Sequence, residues 1–188
     1  MTNHRPNPLH VAVFLALFAP SAALAEDELC GKSFTWFSCG LDNGKTVAIC
    51  GSPSTDVDQP KFGADADAWL QYRYGTADKI ELRYPEGQGD QLWKQFMAGI
   101  AYNPGGTPDR INFSFITDGI RYLIQGNQVP FTGKMTYALS VVDEAATKTL
   151  AEHQCTGFTN DANFLAAAGA VPCDPNDTGN ATRGAECP

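Results

Sequence analysis

The chain has 188 residues, 43% of them hydrophobic and 11% aromatic, and its 21 acidic residues outweigh 13 basic ones to give a formal charge of −8. That balance excludes a nucleic-acid binder working by phosphate neutralisation. A chain of this length buries roughly 70% of its unfolded surface, enough for one core and one domain.

The first residues read as an export signal: Arg5, an apolar run from Val11 to Ala19, and the small-residue site Ala23-Leu24-Ala25. The run is far shorter than the roughly 20 residues that cross a bilayer. Cleavage after Ala25 removes Arg5 and no acid, so 12 bases against 21 acids leave −9 on the mature chain. Cys30 does not directly follow the cleavage site, which argues against a lipid anchor. The expected product is a periplasmic or secreted protein with no membrane anchor. Residues 1–25 are then the signal peptide, 26–157 an antiparallel β domain, and 158–188 a short helix and flexible, cysteine-containing tail.

All six cysteines, Cys30, Cys39, Cys50, Cys155, Cys173 and Cys187, lie in the mature part. An even count in an oxidising compartment implies disulfides. The first hairpin is expected from Ser33–Cys39 and Thr46–Cys50 about Asp42–Lys45. A turn centred on Asn43-Gly44 places Cys39 opposite Ala48, whereas one centred on Gly44-Lys45 places it opposite Cys50. Either the turn shifts and those two pair, or Cys39 pairs at long range, with Cys155 the best candidate. Cys173 and Cys187 are expected to pair within the tail.

A loop over 51–67, rich in proline, glycine and aspartate, separates this hairpin from a second one, Trp69–Tyr74 and Lys79–Tyr84, with Ile80, Leu82 and Tyr84 on one face. Leu92, Trp93 and Phe96 have helical spacing, which predicts a short helix over Asp90–Ala98 capped by Asp90. Ile111–Thr117 and Ile120–Gln125 flank Asp118-Gly119, a type I′ signal that pairs Phe115 with Tyr122 and Phe113 with Ile124. A last hairpin is expected from Met135–Val142 and Lys148–Cys155, with a helix over Asp143–His153 as the alternative. Asp161–Ala168 suits an alanine-rich helix capped by Asn160, and Asp174–Pro188 has too little apolar content for a core. Together these predict a mainly β fold, an antiparallel β-sandwich or small barrel of hairpins with short helices and a disulfide-held C-terminal tail.

Chemistry is sparse. After export His153 is the single histidine, no Gly-x-Ser-x-Gly elbow exists, and no Cys-x-x-Cys pair offers a zinc or redox site. His153 therefore reads as a partly exposed sheet residue. Asp56, Asp58, Asp65 and Asp67, like Asp174, Asn176 and Asp177, lack the EF-hand ligand order and read as solvated loops. Arg73 within Tyr72-Arg73-Tyr74-Gly75 reads as a charge on the solvent face. Neither a metal nor a cofactor is expected.

Cys39, Asn43-Gly44-Lys45, Cys50, Tyr72-Arg73-Tyr74-Gly75, Lys79-Ile80-Glu81-Leu82, Gly105-Gly106 before Ile111-Asn112-Phe113, Asp118-Gly119 before Tyr122, and closing Cys155 give residues 33–157 a resemblance to a group of uncharacterised exported bacterial proteins. The resemblance implies export and a β fold and transfers no catalytic residue. At the level of fold the domain is also similar to periplasmic lysozyme inhibitors. Those carry a Ser-Gly-x-x-Tyr loop that this chain lacks, Asn103-Pro104-Gly105-Gly106 standing in its place.

The functional expectation is a non-catalytic binding protein of the cell envelope, an inhibitor of a basic secreted enzyme such as lysozyme being one form of it. A small secreted hydrolase and a structural envelope protein are the alternatives. The expected contact surface is the loop Tyr102–Arg110, with Tyr102, Asn103, Pro104, Gly105, Gly106 and Arg110 as binding residues. The acidic loop carrying Asp56, Asp58, Asp65 and Asp67 would steer a basic partner toward it.

Overall fold

A computed structural model describes residues 29–53, 68–89, 91–144 and 148–177. The export signal, the aspartates of the acidic loop, Asp90 and Cys187 lie outside the described residues. The strands are β1 (Phe34–Leu41), β2 (Thr46–Gly51), β3 (Leu70–Thr76), β4 (Lys79–Tyr84), β5 (Met97–Tyr102), β6 (Pro108–Thr117), β7 (Ile120–Gln128), β8 (Met135–Asp143) and β9 (Thr149–Asn160). A 3-10 turn, Leu92–Gln95, precedes β5, and helix α1 spans Phe164–Ala170. The expected mainly β, antiparallel architecture is present, in the form of one curled half-barrel sheet of order β4-β3-β2-β1-β9-β8-β7-β6-β5.

Strand β9 makes the curl. Its first half, Thr149 to Gln154, pairs with β8, and its second half, Cys155 to Asn160, pairs with β1. The register with β1 slips between Cys39 and Leu41, the site of a bulge. There Gly40 and Gly157 face each other so closely that a Cβ on Gly157 would lie 3.2 Å from the Gly40 Cα. The Cys39–Cys155 disulfide joins the same two strands, its Cα atoms 5.7 Å apart.

The concave side is filled with aromatic rings. Phe115 lies between Tyr84, stacked at 4.1 Å, and Tyr122, stacked at 5.0 Å, and Tyr72 approaches it at 4.9 Å. Phe164 of α1 packs at 4.4 Å on Phe37 and 5.6 Å on Tyr137, so the helix closes the space between β1 and the β5-β6 hairpin. Alternation along β6 and β7 sends Phe113, Phe115 and Ile124 inward in the register expected from Asp118-Gly119. That turn has φ of 52° and 73°, as type I′ requires. The second hairpin and the strand form of Thr149–Cys155 are likewise present.

Several expectations need correction. The first hairpin closes through the three-residue loop Asp42–Gly44, where Leu41 N donates to Lys45 O at 2.8 Å and Gly44 has φ 78°. Cys39 therefore faces Val47, and Cys50 faces Thr35. Of the two pairings left open, the long-range one holds: Cys39 bonds Cys155, and Cys50 bonds Cys30. Cys173 is also disulfide-bonded, to a partner outside the described residues.

The helix expected over Asp90–Ala98 shrinks to Leu92–Gln95, and Met97 opens a strand. A helix this short gains few bonds for its nucleation cost. As a strand, Met97–Tyr102 pairs along its length with β6 and buries Ala98 and Ile100. Asn160 does not cap α1; it pairs with Ser38 as the last residue of β9, and Asn163 takes the cap position.

The first residues of the tail are ordered by the sheet. Ala98 N donates to Pro172 O, and Asp174 N donates to Ala98 O, so the segment covers the β5 edge. Arg73 is not a free solvent charge either. It donates to Leu29 O at 2.6 Å and to Gln71 Oε1 at 2.7 Å, pinning the start of the described chain to β3.

Candidate functional site

The loop singled out from the sequence is a hairpin connection whose free part is Asn103–Thr107. Tyr102 and Pro108 already belong to the β5-β6 ladder. Asn103 organises the turn from within: its Oδ1 accepts from Gly105 N at 2.9 Å and Thr107 N at 3.1 Å, while Gly106 supplies φ 78°. Arg110 is not part of this tip. It lies on the outer face of β6, where the Asp177 carboxylate holds it at 2.8 Å.

Beside this tip stands the β7-β8 connection, 129–134, to which sequence reasoning attached no role. Val129 N donates to Lys134 O at 2.8 Å, and the Thr132 hydroxyl donates to Val129 O at 3.2 Å, closing a tight loop. Phe131 at its apex has φ 67° and is fully exposed, at 108% of its reference area. A bulky residue in the left-handed region is strained by roughly 1–2 kcal/mol. Burying a phenylalanine is worth about 1.5–3 kcal/mol, a gain this position forgoes. Pro130 and Gly133 were the signal: they mark a turn, and a turn has no strand face on which to bury an aromatic ring.

Between the two tips and α1 opens a cavity of about 190 Å³. Pro108, Ile111, Met135 and Leu165 give it apolar walls, and Thr107, Gln128, Tyr137 and Asp161 bring polar atoms to it. The Tyr137 hydroxyl donates to Asp161 Oδ2 at 2.8 Å. Burial first, and this bond second, push the tyrosine's pKa well above its usual value, so it stays a protonated donor.

The outer face of β6, β7 and β8 holds a different set of groups. Asp177 accepts from Arg110 at 2.8 Å and from Asn112 at 2.6 Å, and Asp174, only 4% exposed, pairs with Arg121 at 2.5 Å. The tail aspartates read from sequence as solvated thus fasten the tail to the sheet. An adjoining groove of about 700 Å³ is lined by Arg121, Gln125, Ser140, Glu144, Glu152 and Asn176. Within it Ser140 donates to Gln125 Oε1 at 2.9 Å, and Glu152 accepts from Gln154, outside the lining, at 3.1 Å. The serine hydroxyl therefore faces an amide rather than a base.

His153 does have a carboxylate partner, Asp42 Oδ1, at 2.9 Å, but no hydroxyl or thiol among the described residues completes a triad with it. Asp42 is instead a clasp on β9, its Oδ2 accepting from Gln154 N at 3.1 Å and its own N donating to Gln154 O at 2.9 Å. Among the described residues no cluster of three or more His, Cys, Asp or Glu side chains is placed to hold a metal ion, and no helix is long and apolar enough to cross a membrane. The disulfides fit an oxidising, extracytoplasmic compartment. No known protein family matches the chain, and no curated protein or solved structure matches it either.

Proposed function

We propose that the chain is a non-catalytic, exported binding protein that docks a basic envelope or secreted protein, inhibition of a basic enzyme such as lysozyme being one form of that role. The contact surface is the end of the half-barrel that carries Asn103–Thr107, Phe131 and Leu165. Phe131 is the observation that carries the reading, because a fully exposed phenylalanine on a strained backbone lowers the free chain's stability and becomes an asset only when a partner covers it. Leu165, 38% exposed, lines the cavity that Gly133, of the same β7-β8 connection as Phe131, also lines. The charge of −8 favours a basic partner.

The test is interferometry of the mature protein against basic muramidases and fractionated basic envelope proteins. Phe131→Ala should weaken binding by about 30-fold, the size of a central aromatic contact. A bound partner indifferent to that change, or no micromolar binding to any of these proteins, removes the proposal.

A second reading, a small hydrolase, has one feature in its favour: the polar groove is large enough for a small-molecule ligand and carries Glu144 and Glu152. Turnover of a glycan or peptide substrate that is abolished by Glu152→Gln would establish it in place of the first.

A further inference from the structure

We propose that the cavity beside Phe131 is a receptor for a single basic side chain, lysine or arginine, of the docked protein. This inference rests on the binding function proposed above and specifies what the partner must present. The cavity, about 190 Å³, is smaller than the roughly 300–1,000 Å³ of sites that enclose a small-molecule ligand, so its size suits one side chain.

Its chemistry narrows the side chain further. The walls from Pro108, Ile111, Met135 and Leu165 are apolar and match an aliphatic stem. At the polar end, the Tyr137 proton is already committed to Asp161 Oδ2. What remains there is the phenolic oxygen and the second carboxylate oxygen, both acceptors. Ammonium and guanidinium groups carry donors only and suit these acceptors, to which Thr107 and Gln128 on the same lining add their own oxygens; a carboxylate would lie against the Asp161 carboxyl, and an apolar tip would leave that carboxyl unpaired. Among the described residues no lysine or arginine pairs with Asp161; Lys134, next to the cavity-lining Gly133, forms no ion pair with it. A carboxyl at the end of a partly apolar cleft on an acidic protein is complementary to a basic partner at the scale of one residue.

The probes are capped alanine tripeptides with lysine, arginine or norleucine at the centre, titrated into the full mature protein while amide NMR spectra are recorded. The lysine or arginine peptide should shift the amides of Gly133, Met135 and Leu165 and saturate in the millimolar range. Norleucine should bind at least tenfold more weakly. Asp161→Asn keeps an acceptor for the Tyr137 hydroxyl and so preserves the packing, yet should weaken the basic peptide at least tenfold. Absence of shifts at those amides, or equal binding of norleucine, overturns the inference. Phe131 is not a wall of the cavity, so the peptide titration reads the cavity and the interferometry of Phe131→Ala reads the docking surface. Failure of the cavity therefore leaves the Phe131-dependent docking standing, and failure of that docking leaves the peptide result standing.

Discussion

Phe131 and Gly119 both sit at positive φ on hairpin connections, and they answer opposite demands. Gly119 is where the fold asks for a residue without a Cβ, and Asp118-Gly119 made that turn legible from sequence. A Cβ added there meets nothing within 4 Å, so the cost of Gly119→Val is conformational alone, about 1–2 kcal/mol. A melting-temperature fall of roughly 2–8 °C should follow, and an unchanged value would show that the turn tolerates another geometry. At Phe131 the fold would accept glycine gladly. Phe131→Gly is expected to raise the melting temperature by a few degrees while weakening docking by at least the same roughly 30-fold, a separation that thermal melts and interferometry on the same sample would reveal. A variant that lost stability instead would mean that the ring packs on the molecule in solution.

Among the elements, hairpins with local turn signals could be read in advance and the joints between distant elements could not. Asp118-Gly119 sets the β6-β7 register within a few residues. The β1-β9 pairing, by contrast, depends on Gly40 and Gly157, 117 positions apart, approaching backbone to backbone. Neither glycine announces that contact, because nothing in the local sequence distinguishes a bulge from an ordinary strand glycine. The Cys39–Cys155 disulfide crosses this joint and closes 116 residues, whereas Cys30–Cys50 closes 20. Loop-closure entropy assigns about 5 kcal/mol to the first and about 3 to the second. Denaturant unfolding of Cys39→Ser/Cys155→Ser should therefore show a larger loss than Cys30→Ser/Cys50→Ser, and the reverse order would mean that native packing rather than chain entropy dominates.

The Asp42 clasp adds a pH dependence to the same joint. The Gln154 backbone N–H first, and the His153 side chain second, hold the Asp42 pKa below 3.8. A carboxyl lowered on folding contributes stability above its unfolded value and loses it as pH falls through the folded one. Wild type should thus be more stable than Asp42→Asn above about pH 4, with the two melting curves converging as pH falls below that. A constant offset across that range would show that the clasp does not act through ionisation.

For the whole molecule, composition bears directly on charge and only indirectly on the site. The excess of acids was plain from the amino-acid count, and the loop Tyr102–Arg110 was picked out by its glycines and prolines. Phe131, Tyr137 and Asp161 were not, because they come from a loop, a strand and a helix approach that meet only once the sheet has curled. This division predicts how binding should respond. Acidic charge distributed over a surface acts at long range, raising the encounter rate with a basic partner, and is screened over about 8 Å at physiological salt. Contacts in the docked complex act at short range and set the dissociation rate. Neutralising Asp56, Asp58, Asp65 and Asp67 to asparagine should accordingly slow association and flatten its dependence on ionic strength, with little change in dissociation. Phe131→Ala should do the opposite, speeding dissociation and leaving the salt dependence of association intact. Stopped-flow measurements at about 50 and 300 mM salt would separate the two, since moderate salt shortens the screening length more than twofold over that interval. If both sets of changes altered the same rate constant, steering and docking would not be separate properties of this surface, and the assignment of Phe131 as its anchor would fall with them.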